Sequence, residues 1–250
     1  MQHNLRILEV ACSEFSTVSF LGSSLHDGHD RLLRANCTRD ALEVLLFLDS
    51  RGVGAQFSGS LAERILTRMH ATRGYLAVCR PLEMTTWATL FNFLSINALQ
   101  PRQIITNMGF VDFTPKKQTI LADAVQQVEA RMGVGLARSQ FVEEYLVAGG
   151  DKLALYSMSY TASYRQRIEA MIASTTIVLN TPPVRPDISV PRKRPRSFFS
   201  AIELGNAFNR SIGGATVIDL PVFDQAHTYD AVHYTNRGNE LIFDRLVEHL

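Results

Sequence analysis

The sequence has few cysteines, almost no net charge and no long apolar run. Its 250 residues include three cysteines and one tryptophan, and the formal net charge is +1. Cys12, Cys37 and Cys79 are far apart and form no CxxC spacing, which argues against a disulfide framework or a thiolate metal site. A nearly neutral chain gives no reason to expect nucleic acid as a partner.

Targeting and membrane signals are also missing from the sequence. Residues 1–15 lack a basic segment followed by an apolar run, so we expect no signal peptide, no membrane span and a cytoplasmic location. The composition is that of an ordinary globular protein, with 46% hydrophobic and 20% charged residues. The length suits one α/β unit, and we predict a single domain over residues 1–250.

Apolar runs of strand length alternate with longer helical patterns along the chain. This alternation is typical of βαβ units around a parallel sheet. Strands are predicted at 17–21, 42–48, 74–78, 104–106, 175–179 and 216–220. Helices are predicted at 60–70, 85–99, 118–131, 163–173 and 236–250. The expected fold class is a doubly wound α/β domain with about five parallel strands.

Residues 182–198 interrupt this alternation. The segment from Pro182 to Pro195 holds five prolines and the basic run Arg192-Lys193-Arg194. Because the strand pattern resumes afterwards, we expect a surface excursion rather than a domain linker. The basic run is typical of a solvated loop, and binding of an anionic group or a partner is the alternative.

Both ends of the chain carry residues suited to nucleophilic catalysis. Ser24 follows the first predicted strand, and parallel sheets bind ligands beyond the carboxyl ends of their strands. A serine nucleophile needs a nearby base, and that base needs an orienting group. Asp230 and His233 are three residues apart, which places both side chains on one face of a turn. We predict that Ser24, His233 and Asp230 form a triad, with Ser23 as an alternative nucleophile.

Each of these residues also has a purely structural interpretation. Ser24 can be a turn or N-cap serine, and the pair Asp230 and His233 can cap the last helix. Asn107 suits a turn, and Gly52 and Gly54 suit turns as well. A polar cluster beside Ser24 has too few defined ligands for a metal site and is expected to contact solvent or substrate. Its members are His26, Asp27, His29 and Asp30.

Four short blocks together resemble the SGNH/GDSL hydrolases. Residues 20–25 (FLGSSL) resemble the Gly-Asp-Ser-Leu block of that family, with Ser23 in place of the aspartate. Residues 230–233 (DAVH) are similar to its C-terminal Asp-x-x-His block. Residues 50–54 (SRGVG) resemble its glycine-containing second block, and residues 107–112 (NMGFVD) occupy the place of its Gly-x-Asn-Asp block. The blocks follow the family's order over about residues 18–250.

This resemblance implies a flavodoxin-like three-layer α/β/α sandwich and a serine esterase that hydrolyses esters or O-acetyl groups. The implied substrate is a small ester or an acylated sugar or lipid, with no metal or organic cofactor. The implied oxyanion donors are the N–H groups of Ser24 and Gly54, or Gly52 instead, and the Asn107 side chain. Val111 stands where the family has its oxyanion asparagine.

Two other functions are compatible with the same residues. An acyltransferase would use the same triad and pass the acyl group to an alcohol. A binding protein would keep the fold after losing its oxyanion hole through Val111. Nothing in the sequence indicates an oligomeric state.

Overall fold

The computed structural model describes residues 19–21, 32–54, 58–70, 72–79, 84–133, 138–146, 150–172, 175–185, 187–189 and 194–250. Within these ranges, a seven-stranded sheet and a separate hairpin are present. The strands of the sheet are β1 (Ser19–Leu21), β2 (Leu32–Ala35), β3 (Val44–Leu48), β4 (Tyr75–Cys79), β5 (Gln103–Thr106), β8 (Thr175–Leu179) and β9 (Ala215–Ile218). The hairpin consists of β6 (Arg138–Leu146) and β7 (Lys152–Ser159).

Eight α-helices are described, together with a 3-10 turn at Arg39–Ala41. The helices are α1 (Ser50–Val53), α2 (Leu61–Met69), α3 (Trp87–Ile96), α4 (Phe110–Phe113), α5 (Gln118–Met132), α6 (Ala162–Met171), α7 (Arg196–Arg210) and α8 (Asn236–Val247). Side-chain caps fix several starts: Ser60, Thr86 and Thr235 each accept a hydrogen bond from an amide in the first turn of α2, α3 and α8. None of the helices in the described ranges is both long and apolar enough to cross a membrane.

The sheet has the order β1-β2-β4-β3-β5-β8-β9. Five neighbouring strands pair in parallel, namely β4, β3, β5, β8 and β9. Strands β2 and β1 extend the sheet beyond β4 in antiparallel pairs. The predicted three-layer α/β sandwich with about five parallel strands is therefore confirmed. The chain passes from β3 to β4 on one side and then to β5 on the other. This reversal opens a crevice at the carboxyl ends of β3 and β5.

Strand β3 lies at the centre of the core. All five of its residues are fully buried, as expected for a strand covered on both faces. Leu45 and Phe47 pack in a cluster with residues of α3, α5 and α6. Leu46 and Leu48 pack on the opposite face with residues of α2 and α8. The two helix layers thus hold the end of β3 in a fixed position.

Strand β2, the hairpin β6–β7 and helix α7 were not predicted, and neither were the one-turn helices α1 and α4. The hairpin strands mix polar and apolar residues, and the large side chains Phe141 and Leu146 are exposed, so no clean alternation marks them. Helix α7 starts inside the predicted excursion, directly after Pro195, and buries Phe198 and Ile202 on one face. The first predicted strand is present as β1, but it is an edge strand outside the parallel group.

Candidate active site

The carboxyl end of β3 carries a serine in the crevice. Strand β3 ends at Leu48, Asp49 is the N-cap of α1, and Ser50 is the first residue of that short helix. The neighbouring strand β5 ends at Thr106 and is followed by Asn107. The crevice at this switch point is where open α/β sheets place their ligands.

A series of two hydrogen bonds connects Ser50 through His233 to Asp230, near the far end of the sequence. His233 Nε2 lies 3.2 Å from Ser50 Oγ, and His233 Nδ1 lies 2.9 Å from Asp230 Oδ2. Asp230 and His233 lie in the loop between β9 and α8. A hydroxyl, an imidazole and a carboxylate in this order have the geometry of a nucleophile, its base and the group that orients the base.

The Asp230 carboxylate is ionised at neutral pH. Burial by itself raises its pKa, but hydrogen bonds from the His233 ring and from the His233 and Val232 amides outweigh burial and lower the pKa to about 2. An ionised carboxylate only accepts hydrogen bonds, so His233 Nδ1 carries the ring proton that it donates to Asp230. Neutral imidazole then has its free lone pair on Nε2, where it accepts from the Ser50 hydroxyl.

The turn that presents Ser50 is fixed by Asp49 and Asn107. Asp49 Oδ1 accepts from the Arg51 amide at 2.9 Å and from Asn107 Nδ2 at 2.9 Å. The Asp49 amide in return donates to Asn107 Oδ1, also at 2.9 Å. These bonds connect the ends of β3 and β5, so Asn107 holds the nucleophile turn in place.

Arg51 lies beneath this turn and is only 1% exposed. Its Nη2 donates to Asp49 Oδ2 at 2.7 Å and to the Asn107 carbonyl at 2.5 Å, and its Nη1 donates to the Thr181 hydroxyl. Its Cζ lies 4.7 Å from the centre of the Phe110 ring. Burial lowers the pKa of Arg51, but the electrostatic interactions and hydrogen bonds with Asp49 and Tyr234 together outweigh burial and raise it. A buried ion pair therefore supports Ser50.

Gly52 and Gly54 have conformational roles in the same turn. A Cβ on Gly52 would come within 2.5 Å of Leu48 Cδ1, and Gly54 has a φ of 67°, which favours glycine. The Gly52 amide donates to the Asp49 carbonyl at 3.0 Å and the Gly54 amide donates to the Ser50 carbonyl at 2.9 Å. The two glycine amides that were predicted as oxyanion donors thus donate to backbone carbonyls at the start of α1. The Ser50 amide has no acceptor within the described ranges.

The predicted nucleophiles Ser24 and Ser23, with the polar cluster at 26–30, lie outside the described residues. The preceding strand β1 is three positions from β3 in the sheet, about 14 Å at the usual strand spacing. Among the described residues, the serine whose hydroxyl contacts His233 is Ser50, which was predicted to belong to the second block.

A signal for Ser50 was present in the sequence. Residues 48–51 (LDSR) begin at the last residue of a fully apolar strand and keep the Asp-Ser pair of the Gly-Asp-Ser-Leu block. Residues 22–25 (GSSL) lack that aspartate. The structure shows why the aspartate matters here: Asp49 caps α1 and pairs with Arg51 directly beside Ser50.

The described ranges contain no group of three or more His, Cys, Asp or Glu side chains placed to hold a metal ion. The groups that face Ser50 from the β9–α8 loop are His233 and, behind it, Asp230. These two groups are placed to transfer a proton to and from the Ser50 hydroxyl.

Comparisons with known proteins give distant structural likenesses. No protein-family model matches the chain, and no curated protein matches its sequence. A gut microbial diltiazem-metabolizing enzyme, BT4096, matches with a TM-score of 0.47 and 10% identity, over 83% of this chain and 46% of that protein. An acetyl xylan esterase, Est2A, from the rumen bacterium Butyrivibrio proteoclasticus matches with a TM-score of 0.38 and 12% identity, over 84% of this chain and 63% of that protein.

A third solved structure is the carboxylesterase CesB from Bacillus subtilis, with a TM-score of 0.35 and 9% identity, over 99% of this chain and 97% of that protein. The chain thus spans less than two thirds of the length of the first two proteins.

Proposed function

We propose that the protein is a serine hydrolase that cleaves ester bonds, with Ser50 as the nucleophile, His233 as the general base and Asp230 as the orienting carboxylate. The observation that carries this proposal is the hydrogen-bonded series from Ser50 Oγ through His233 to Asp230, at 3.2 and 2.9 Å. Its position at the switch point of the sheet supports the same conclusion.

The reaction follows from the protonation states of the three groups. His233 Nε2 takes the Ser50 proton as Oγ attacks the ester carbonyl, and the Asp230 carboxylate stabilises the imidazolium that forms. His233 then gives this proton to the leaving alcohol oxygen, and the acyl group stays on Ser50. In the second half, His233 takes a proton from a water that attacks the acyl carbon. The proton returns to Ser50 Oγ as the carboxylic acid leaves.

The oxyanion formed at each attack needs hydrogen-bond donors beside Ser50. The Ser50 amide is our first candidate, because it is the first amide of α1 and has no acceptor within the described ranges. Asn107 Nδ2 uses one N–H on Asp49 and has a second. Because this second N–H is available, donation from the Asn107 side chain to the oxyanion stays a prediction.

We further propose that the chain is a divergent member of the SGNH/GDSL class, with its blocks assigned anew. In this assignment, residues 48–51 (LDSR) form the first block, Asn107 belongs to the block after β5, and residues 230–233 form the last block. The parallel strands in the order β4-β3-β5-β8-β9 support this assignment, and so does the position of Ser50 after β3, the first of these strands along the chain. The proposed substrate class is a small ester or an acylated sugar or lipid.

A covalent probe tests the identity of the nucleophile. We expect a fluorophosphonate to modify the folded protein at Ser50, because the probe reacts with a serine that a neighbouring base activates. Trypsin releases residues 40–51 as one peptide in which Ser50 is the only serine, and releases residues 7–31 as a separate peptide that contains Ser24. Mass spectrometry of the two peptides therefore separates the candidates. An adduct on 7–31, or none on the folded protein, would contradict the proposal.

Asp230→Asn is expected to reduce turnover by about 10⁴-fold. The amide removes the negative charge that stabilises the imidazolium, and its NH₂ group favours the wrong imidazole tautomer. The measurement is kcat for p-nitrophenyl acetate, with far-UV circular dichroism to verify folding. Asp219→Asn serves as the matched control, because Asp219 lies on the surface and pairs with Arg210. Equal turnover in both variants would exclude a catalytic role for Asp230.

A further inference from the structure

The Asp230 carboxylate accepts four hydrogen bonds, two at each oxygen. Oδ1 accepts from the amides of Val232 at 2.9 Å and His233 at 2.7 Å. Oδ2 accepts from His233 Nδ1 at 2.9 Å and from Arg194 Nη2 at 3.0 Å. A carboxylate offers about four acceptor positions, so these donors occupy the whole group. Three of the four donor groups belong to the 230–233 turn itself, so they do not fix the turn relative to the rest of the protein.

Arg194 is the donor that comes from another part of the chain, 36 residues earlier. Its Nε also donates to the Asp230 carbonyl at 3.1 Å, so one guanidinium holds both the backbone and the side chain of Asp230. The side chains of Arg194 and Asp230 are 13% and 22% exposed. This degree of burial limits the screening that weakens surface ion pairs.

Aromatic contacts connect Arg194 to the turn that carries the nucleophile. Arg194 Cζ lies 5.3 Å from the centre of the Phe198 ring, and Phe198 meets Phe110 edge to face at 5.3 Å. Phe110 in turn lies against Arg51, the neighbour of Ser50. Phe198 and Phe110 are both buried. A continuous set of contacts therefore runs from Asp230 through Arg194 and the two rings to the Ser50 turn.

We propose that Arg194 is a positioning residue of the active site, which fixes the Asp230 carboxylate relative to Ser50. This inference rests on the proposed hydrolase function. The hydrogen bonds of Arg194 within the described ranges go to Asp230 and not to the Ser50 hydroxyl or the His233 ring. Arg194 acts through Asp230, because a displaced carboxylate would no longer hold the His233 ring with Nε2 directed at Ser50. The basic run predicted to be a solvated loop thus contributes one residue to the site.

The test compares Arg194→Ala with the wild type in two assays: the rate of fluorophosphonate labelling at Ser50 and the hydrolysis of p-nitrophenyl acetate. We expect kcat and the labelling rate to fall about 10- to 100-fold, as is typical when the partner that orients a functional side chain is lost. KM should stay near the wild-type value, because Arg194 orients the base rather than the ester. The kcat and the labelling rate of Arg194→Lys should lie between those of the wild type and those of Arg194→Ala, since lysine keeps the charge but loses the paired donors.

Guanidinium ion separates a positioning role from a structural one. Guanidinium chloride, at concentrations well below those that unfold proteins, should restore part of the activity of Arg194→Ala by occupying the vacated position beside Asp230. It should not stimulate the wild type. Arg210→Ala is the matched control, because Arg210 lies at the other end of α7 and pairs with the exposed Asp219. It should keep wild-type activity with and without guanidinium.

Each remaining outcome overturns a defined part of the proposal. If Arg194→Ala is labelled and turns over substrate at the wild-type rates, the positioning role is excluded and the hydrolase proposal stays intact. A loss of activity that guanidinium does not restore at all would mean that Arg194 acts only on the fold. A wild-type protein that is not labelled at Ser50 would overturn the hydrolase proposal and this inference with it.

Discussion

Replacing Ser50 with alanine is expected to reduce kcat for p-nitrophenyl acetate by about 10⁴- to 10⁶-fold. The substitution removes the atom that forms the acyl intermediate, and no other member of the series can replace it. His233 and Asp230 act on the substrate only through that atom, so their presence does not rescue the variant. Any remaining hydrolysis would come from the oxyanion donors and from substrate binding alone.

The loss in Ser50→Ala should be chemical and not a consequence of unfolding. Within the described ranges Ser50 Oγ makes one hydrogen bond, to His233, so its removal should change the free energy of unfolding by about 1 kcal/mol or less. Urea denaturation measures this change directly. Stability close to the wild type, with turnover lost, is therefore the expected result.

Ser24→Ala is the matched comparison for this prediction. It removes the serine that the sequence analysis favoured, and we expect turnover to stay at the wild-type level. The reverse result, with turnover lost in Ser24→Ala and kept in Ser50→Ala, would identify Ser24 as the nucleophile and overturn our assignment of Ser50.

The sequence predicts the parallel sheet well because its signals are local. The runs at 44–48 and 175–179 are short, rich in apolar or β-branched residues and followed by turn residues, so each identifies a strand without reference to the rest of the chain. The pair Asp230 and His233 is local in the same sense, since three residues of spacing suffice to bring the side chains together. These parts of the prediction needed no knowledge of strand order.

The partner of His233 could not be identified from local pattern. Ser50 is 183 residues away from His233, and both Ser24 and Ser50 follow a run that resembles a strand. Strand order distinguishes them: β3 lies at the switch point, while β1 lies at the edge of the sheet. Arg194 was missed for a related reason, because a run of basic residues does not reveal which carboxylate one of them will contact.

The ion pair beneath Ser50 leads to a second large effect, on stability. Arg51→Met is expected to lower the free energy of unfolding by about 3–5 kcal/mol, because it leaves the Asp49 carboxylate buried without its cation. Asp49 is 1% exposed and receives several of its hydrogen bonds from Arg51. The melting temperature should fall by about 10 °C. Differential scanning calorimetry and urea denaturation would measure the two quantities.

A second substitution shows whether the buried charge causes this loss. If it does, the double variant Asp49→Asn/Arg51→Met should recover part of the stability lost in Arg51→Met, because the uncompensated carboxylate is gone. Arg185→Met is the matched control, since Arg185 pairs with Asp187 in solvent and its removal should leave stability unchanged. Equal stability of Arg51→Met and the wild type would mean that the Asp49–Arg51 pair does not hold the turn. The position of Ser50 would then depend on the strand end and on Asn107 alone.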